Sequence, residues 1–293
     1  MSDPAPLLDA ETRLVALIGQ PVTHSLSPLM HNVAFAAHGL NWRYAALPVA
    51  PGRVVEAVAG LRALSFAGAN VTVPHKEAAL PHVDRLTDRA KAIGALNTLF
   101  WDEGGALTGD NTDAAGFLAP LEEHAGALEG CHALLFGAGG AARAATYALL
   151  TSGFAPARLT LAARTPQRAE RLAADLAPVG GDSALAVVPE AEAGEAVRSA
   201  RLLVNATPQG MAPETGATPW PEAADFRAGQ VAYDLVYTPR ETRFLREAAA
   251  QGATPVGGLE MLVGQAAASY RRWTGRDMPA ATVRHALRKH LGG

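Results

Sequence analysis

The run Leu134-Leu-Phe-Gly137-Ala-Gly139-Gly140-Ala-Ala142-Arg-Ala144 decides the fold. An apolar segment enters a cluster of glycines and leaves directly into an Ala-rich segment, the order strand, tight turn, helix. Glycines at such a turn allow a sharp bend and let the backbone approach a pyrophosphate. The N–H groups of the helix start then face the anion. Gly137, Ala138, Gly139, Gly140 and Ala141 are therefore the candidate phosphate-binding residues, with Ala142 in the third glycine slot of the usual pattern. The competing reading is a tight structural turn that binds nothing.

The end of the next strand selects the nucleotide. An NAD site usually places Asp or Glu there for the ribose hydroxyls. This chain instead has Ala163-Arg164-Thr165, and Arg168 follows shortly after. Two guanidiniums and a hydroxyl suit a 2′-phosphate, so the expected cofactor is NADP. Otherwise Arg164 and Arg168 lie on a solvated helix start, where cations oppose the helix dipole.

On both sides of this run, strand-like and helix-like segments alternate. Before it come strands Leu14 to Ile18, Tyr44 to Val49 and Ala67 to Val73, with helices Pro28 to His38 and Arg53 to Ala63 between them. Leu96 to Trp101 and Ala106 to Thr108 flank Glu103-Gly104-Gly105 as a hairpin, and a helix is expected over Ala114 to Glu123. After the turn come strands ending at Ala162, Val188, Asn205 and Leu235, and the chain closes on helices Leu259 to Trp273 and Pro279 to His290. Such alternation predicts an α/β fold of βαβ units with a mainly parallel sheet.

Composition narrows the function classes. The 293 residues allow one or two domains, and 49% hydrophobic with 18% charged residues suits a packed core. A net charge of −3 gives no footing for nucleic acid or a membrane surface. Cys131 is the sole cysteine, so no internal disulfide can form, and it is expected to be a buried structural thiol. Met1 to Thr12 has no basic start and no apolar core, and no apolar stretch is long enough to span a bilayer. A soluble, cytoplasmic protein without a metal site is expected. Only Lys76, Lys91 and Lys289 are lysines, so a lysine inside a motif stands out.

Polar motifs crowd the first half. In GQPVTHSLSPLMHN (Gly19 to Asn32), Ser25 and Ser27 are two apart, so an extended chain would point both hydroxyls to one side. Ser27 before Pro28 is equally a good helix N-cap. In Asn70-Val-Thr72-Val-Pro74-His-Lys76, Pro74 is expected to open a short helix, with Lys76 against the dipole of its first turn. GALNT contains Asn97, and GDNTD ends on Asp113, which also suits a plain N-cap. Gln265 lies on an otherwise apolar or small-residue helix face, where a buried amide needs partners from a ligand or another helix.

These motifs, with NATPQGM, YDLVYTP and GGLEMLVGQAA, appear in order from about Leu14 to Arg284. Together they resemble the shikimate dehydrogenase family, with Ala163 replacing the family's frequent Asn before the Arg-Thr pair. The resemblance implies two domains. Residues 1–112 with 257–293 would be an N-terminal α/β substrate domain to which the C-terminal helices return, and residues 113–256 a Rossmann-like NADP domain. It implies NADP-dependent hydride transfer between 3-dehydroshikimate and shikimate, on the route to chorismate and aromatic amino acids. Lys76 and Asp113 would be the catalytic pair, and Ser25 and Ser27 would bind the substrate carboxylate. Thr72, Asn97, Tyr237 and Gln265 would join the pair around the ring hydroxyls and ketone. Thr207, Leu235 and Gly258 would lie along the cofactor. A monomer or homodimer is expected. Rival readings are an NAD-using quinate/shikimate dehydrogenase, which lacks its acid here, and a methylene-tetrahydrofolate dehydrogenase, against which Ser25, Ser27 and Asp113 argue. A catalytically silent NADP-sensing regulator should have lost Lys76 or Asp113.

Overall fold

Residues 8–291 are described by the computed structural model, so most of Met1 to Thr12 lies outside them. In chain order the first elements are β1 (Arg13–Gly19), α1 (Ser27–Ala37), β2 (Trp42–Pro48), α2 (Val54–Ala63), β3 (Gly68–Val71), β4 (Arg85–Leu86), α3 (Asp88–Ile93), β5 (Thr98–Trp101) and β6 (Leu107–Asp110). Then follow α4 (Asp113–Leu118), α5 (Ala125–Leu128), β7 (His132–Phe136), α6 (Gly140–Thr151), β8 (Arg158–Ala163), α7 (Pro166–Leu176), β9 (Ala184–Pro189) and α8 (Gly194–Ser199). The last are β10 (Leu202–Asn205), β11 (Val231–Asp234), α9 (Arg243–Ala250), β12 (Thr254–Gly257), α10 (Leu259–Thr274) and α11 (Ala280–His290).

The chain divides into two compact units, one running to Thr112 and resuming at Gln265, the other Asp113–Gly264. The second crossing therefore falls inside α10, later in the chain than the expected 256/257 break. Its cause is that Gly258 and Gly264 sit against Leu235 and Gly116, both in the second unit.

The first unit's sheet has the order β2-β1-β3-β5-β6-β4. β1 pairs in parallel with β2 and β3, whereas β5 is antiparallel to both β3 and β6. Not one mainly parallel sheet but two sheets form, and this one is mixed because the 102–105 turn returns the chain as a hairpin. Ile18, Val58, Leu61, Val71, Leu96 and Leu99 bury its core. The carboxyl-terminal part of α10 packs here: Trp273 donates through Nε1 to Leu99 O at 2.9 Å, and its indole fills the space a side chain at Gly68 would need.

The second unit's sheet is entirely parallel, in the order β12-β11-β10-β7-β8-β9. Numbered from β7, that is 3-2-1-4-5-6 read from the other edge, the arrangement of a dinucleotide-binding sheet. The order reverses between β7 and β10, and ligands bind such sheets at that reversal.

Five elements lie beyond the sequence reading: β4, α3, α5, α8 and β12. β12 contains Pro255 and Gly257, both unfavourable in a central strand, but it is an edge strand, where a missing N–H costs little. α3 and α8 are only six residues each. The helix expected over Ala114 to Glu123 is broken: α4 ends at Leu118 and Ala119–His124 winds as a 3₁₀ turn, because Pro120 brings no N–H. Cys131 is half-buried rather than buried, and burial pushes its thiol up to about 11.

Candidate active site

Phe136 ends β7, and Gly137 turns with φ +114°, a left-handed conformation that favours glycine. A β-carbon there would meet Ala206 O at 3.1 Å and Thr207 Cγ2 at 3.2 Å, so only glycine lets the turn close on the loop after β10. Gly139 caps α6 in an extended conformation and faces open space. No side chain caps this helix and its first turn carries no acid. The amide end of a 12-residue helix thus stands at the strand-order reversal without a competing carboxylate.

At the end of β8, Arg164, Thr165 and Arg168 are all exposed. Thr165 occupies the N-cap of α7 without using its hydroxyl, and the first turn again holds no acid. Leu235 and Gly258 meet directly: a β-carbon at 258 would stand 2.5 Å from Leu235 O, so the two main chains touch only because residue 258 is glycine. Tyr237 is half-buried and, like Asp113, belongs to this second unit, whereas Ser25, Ser27, Thr72, Lys76, Asn97 and Gln265 belong to the first.

In the first unit, strand direction gathers the expected residues at one sheet edge. β1 and β3 end there, and antiparallel β5 begins there, with Thr98 paired to both Asn70 and Asp110. Thr72 N–H donates to Ile18 O at 2.9 Å, and Leu96 N–H donates to Lys76 O at 2.9 Å. Thr72, Lys76 and Asn97 are therefore held by main-chain bonds to strand ends. Asn97 is buried; its Oδ1 accepts from Thr112 N–H at 2.7 Å, and its Nδ2 donates to Thr112 Oγ1 at 2.9 Å. Asp113, also buried, is the first residue of α4, where the chain leaves this unit. Gln265 is buried, with Oε1 3.5 Å from Asn97 Nδ2, which sets it against a strand-end amide rather than another helix.

Two local expectations need correction. No helix starts at Pro74; residues 73–79 form turns, with His75 N–H on Thr72 O and Ala79 N–H on His75 O. Lys76 therefore opposes no helix dipole. Nor does Ser27 cap α1: the N-cap is Leu26, and no side-chain bond is made there. Leu26 is helical at φ −83°, so Ser25 and Ser27 are not related by an extended chain. They are linked instead by Ser27 N–H donating to Ser25 Oγ at 3.2 Å.

Several polar residues escape the sequence reading. Asn70, Thr98, Thr112 and Ser269 form a buried network behind Asn97, and Tyr44 Oη donates into it at Asn70 Oδ1, 2.8 Å. Asp110 is fully buried beneath Arg89 and Arg272; burial alone would raise its carboxyl, but the two guanidiniums and Thr87 hold it below the usual range. Asp234 is pushed up to about 6 by burial, against hydrogen bonds from Thr242, Val236 and Asn205. The available signal was a polar residue closing an apolar strand, as in LLVN and VAYD. Among the described residues no group of three His, Cys, Asp or Glu could hold a metal, and no helix is long and apolar enough to cross a membrane.

Residues 17–99 match the family model of the shikimate dehydrogenase substrate binding domain, and residues 258–288 that of the shikimate 5′-dehydrogenase C-terminal domain. A protein from Salinibacter ruber named shikimate dehydrogenase (NADP(+)) is 62% identical over 283 residues, 96% of this chain and 99% of its own. A crystal structure of shikimate dehydrogenase in complex with NADP+ superposes with a TM-score of 0.87 at 34% identity, covering 98% of each chain. Shikimate 5-dehydrogenase from Thermus thermophilus, in complex with NADP(H) and shikimate, gives 0.82 at 42% identity, over 96% of this chain and 100% of that one.

Proposed function

Because the chain belongs to the shikimate dehydrogenase family, we propose that it is an NADP-dependent oxidoreductase interconverting 3-dehydroshikimate and shikimate. The observation that carries this reading is the convergence of Thr72, Lys76 and Asn97 at one sheet edge, at the point where the chain passes on to Asp113. Such a cluster suits a small polyhydroxylated ligand.

The second unit fits the cofactor. The uncapped, acid-free start of α6 suits a pyrophosphate on the amides of Gly139, Gly140 and Ala141, with Gly137 and Ala138 forming the turn. Arg164, Thr165 and Arg168 suit the 2′-phosphate, and Thr207, Leu235 and Gly258 the nicotinamide side. Held there, NADPH would supply the hydride for the ketone carbon.

As negative charge grows on the ketone oxygen, Lys76 stabilises it and donates a proton from Nζ. Asp113 orients that ammonium and favours its charged form. Ser25 and Ser27 bind the carboxylate, and Thr72, Asn97, Tyr237 and Gln265 bind the ring hydroxyls. A silent cofactor sensor is disfavoured because both Lys76 and Asp113 are present. A cytoplasmic monomer or homodimer is part of the same proposal, its assembly readable by sedimentation.

The test is absorbance at 340 nm with shikimate and either NADP or NAD, and with quinate replacing shikimate. NADP-dependent turnover of shikimate is expected. No turnover with either cofactor would refute the proposal, and preferential oxidation of quinate with NAD would favour the rival dehydrogenase.

A further inference from the structure

We infer that Asn205, Asp234 and Thr242 form a buried clamp that sets the two loops flanking the nicotinamide side of the cofactor site, residues 206–209 and 235–241. They are positioning residues, acting through Thr207 and Leu235. The inference rests on the cofactor reading above, since those two residues matter only if they line the nucleotide.

Asn205 and Asp234 are the last residues of neighbouring strands β10 and β11, paired in register, and neither is exposed. Asn205 uses both ends of its amide. Nδ2 donates to Asp234 Oδ1 at 3.0 Å and to Gln209 O at 3.1 Å. Oδ1 accepts from Thr207 N–H at 3.0 Å and from Thr207 Oγ1 at 2.6 Å. One side chain thus fixes the start and the end of the 206–209 loop.

Asp234 does the same for the other loop. Its Oδ1 also accepts from Val236 N–H at 2.9 Å, and its Oδ2 accepts from Thr242 Oγ1 at 2.6 Å. Thr242 is fully buried and caps α9, accepting from Leu245 N–H at 3.3 Å. Leu235 N–H, at the start of the second loop, donates to Asn205 O at 3.0 Å. An amide N–H, a main-chain N–H and a hydroxyl therefore converge on one buried carboxylate, and donors in such a site are costly to leave unpaired. Nothing in this network reaches Arg164 or Arg168 at the adenosine side. The clamp should accordingly govern one half of the nucleotide and spare the other.

The test uses the full chain and compares Asn205→Ala, Thr242→Val and Thr242→Ser. Calorimetry reads affinity for NADP and for 2′,5′-ADP, which carries the adenosine with its 2′- and 5′-phosphates and lacks the nicotinamide half, while steady-state assays read kcat and KM. Asn205→Ala is expected to lower kcat/KM for NADP at least tenfold, with 2′,5′-ADP affinity within twofold of the parent. Thr242→Val should lower kcat/KM for NADP severalfold, and Thr242→Ser, which keeps the hydroxyl, should restore it to within twofold. The clamp is overturned if a folded Asn205→Ala keeps kcat/KM for NADP within twofold. It is equally overturned if affinity for NADP and 2′,5′-ADP falls in parallel, which is the signature of a loosened unit. Should Asn205→Ala be insoluble, the Thr242 pair decides by the same criteria. If the parent binds NADP but does not oxidise shikimate, the function proposal fails and the NADP to 2′,5′-ADP affinity ratio still tests the clamp.

Discussion

Asn97 grips Thr112 with both ends of its amide, accepting from the main-chain N–H at 2.7 Å and donating to the hydroxyl at 2.9 Å. The start of β5 is thereby tied to the residue after which the chain leaves the first unit. Thr112 Oγ1 also lies 3.0 Å from Ser269 Oγ, which brings α10 into the same network. Asn97→Ala would leave a buried N–H without its acceptor. A loss of about 1–3 kcal/mol in stability is expected, read by denaturant unfolding. A variant as stable as the parent would show that water or a neighbour replaces the amide.

Lys76 is carried by the same edge, through its carbonyl on Leu96 N–H. Removing a positioned acid–base group typically costs 10²–10⁴-fold, or about 3–5 kcal/mol. Lys76→Ala should therefore lower kcat at least a hundredfold while NADP affinity, measured by fluorescence, stays near normal. Asp113→Asn should also lower kcat strongly. A Lys76→Ala enzyme keeping more than about a tenth of kcat would assign the lysine to binding alone.

Ser25 and Ser27 are expected to differ. Ser25 Oγ already accepts from Ser27 N–H, so Ser25→Ala removes a turn contact as well as the hydroxyl proposed to bind the carboxylate. Ser27 makes no cap bond, so its loss should leave the melting temperature unchanged. Each substitution should raise the KM for shikimate more than tenfold, since a hydrogen bond to a charged group is worth about 1.5–3 kcal/mol. Only Ser25→Ala should also melt earlier. The reverse pattern would restore Ser27 as a cap.

Arg164 is exposed at the end of β8, beside a helix start without an acid. NADP should be preferred to NAD by at least tenfold in kcat/KM, about 1.4 kcal/mol. Arg164→Ala should weaken NADP and leave NAD almost unaffected. Equal use of the two cofactors by the parent enzyme would remove the basis for this assignment.

His31 predicts a pH dependence of stability. The ring is fully buried, stacks on Tyr44 at 4.5 Å, and both nitrogens lack a hydrogen-bond partner. Burial pushes it down to about 3 from 6.5. Below pH 6.5 the unfolded chain takes up a proton that the folded ring refuses, so stability falls with acid between pH 6.5 and 3. By pH 4 this amounts to roughly 3 kcal/mol. His31→Phe should flatten the corresponding part of the stability–pH curve, and an unchanged slope in urea melts at about pH 4–7 would count against it.

Much of the nucleotide unit was legible in sequence. The Gly137 turn, the Ala-rich α6 and the acid-free Arg164-Arg168 segment are each specified by a few consecutive residues, because turn conformation and helix start are local matters. The substrate edge was legible mainly as motifs. Its residue types suggested polar binding, but its geometry did not follow from spacing: Ser25 and Ser27 looked extended, and Lys76 looked helical.

By itself the sequence determined the strand–turn–helix signal, the alternation of elements, the missing acid and the ordered motifs. These depend on neighbours along the chain. Only the tertiary structure decided that Asn205 meets Asp234, that Asn97 meets Thr112 and that His31 is sealed among aromatic rings. It also decided that Pro74 opens no helix, since Ile18 and Leu96 claim the main-chain groups of Thr72 and Lys76. The physical reason is the same in each case. Strand register brings together residues far apart in sequence, and hydrogen bonds across a sheet edge outweigh the propensity of a short segment.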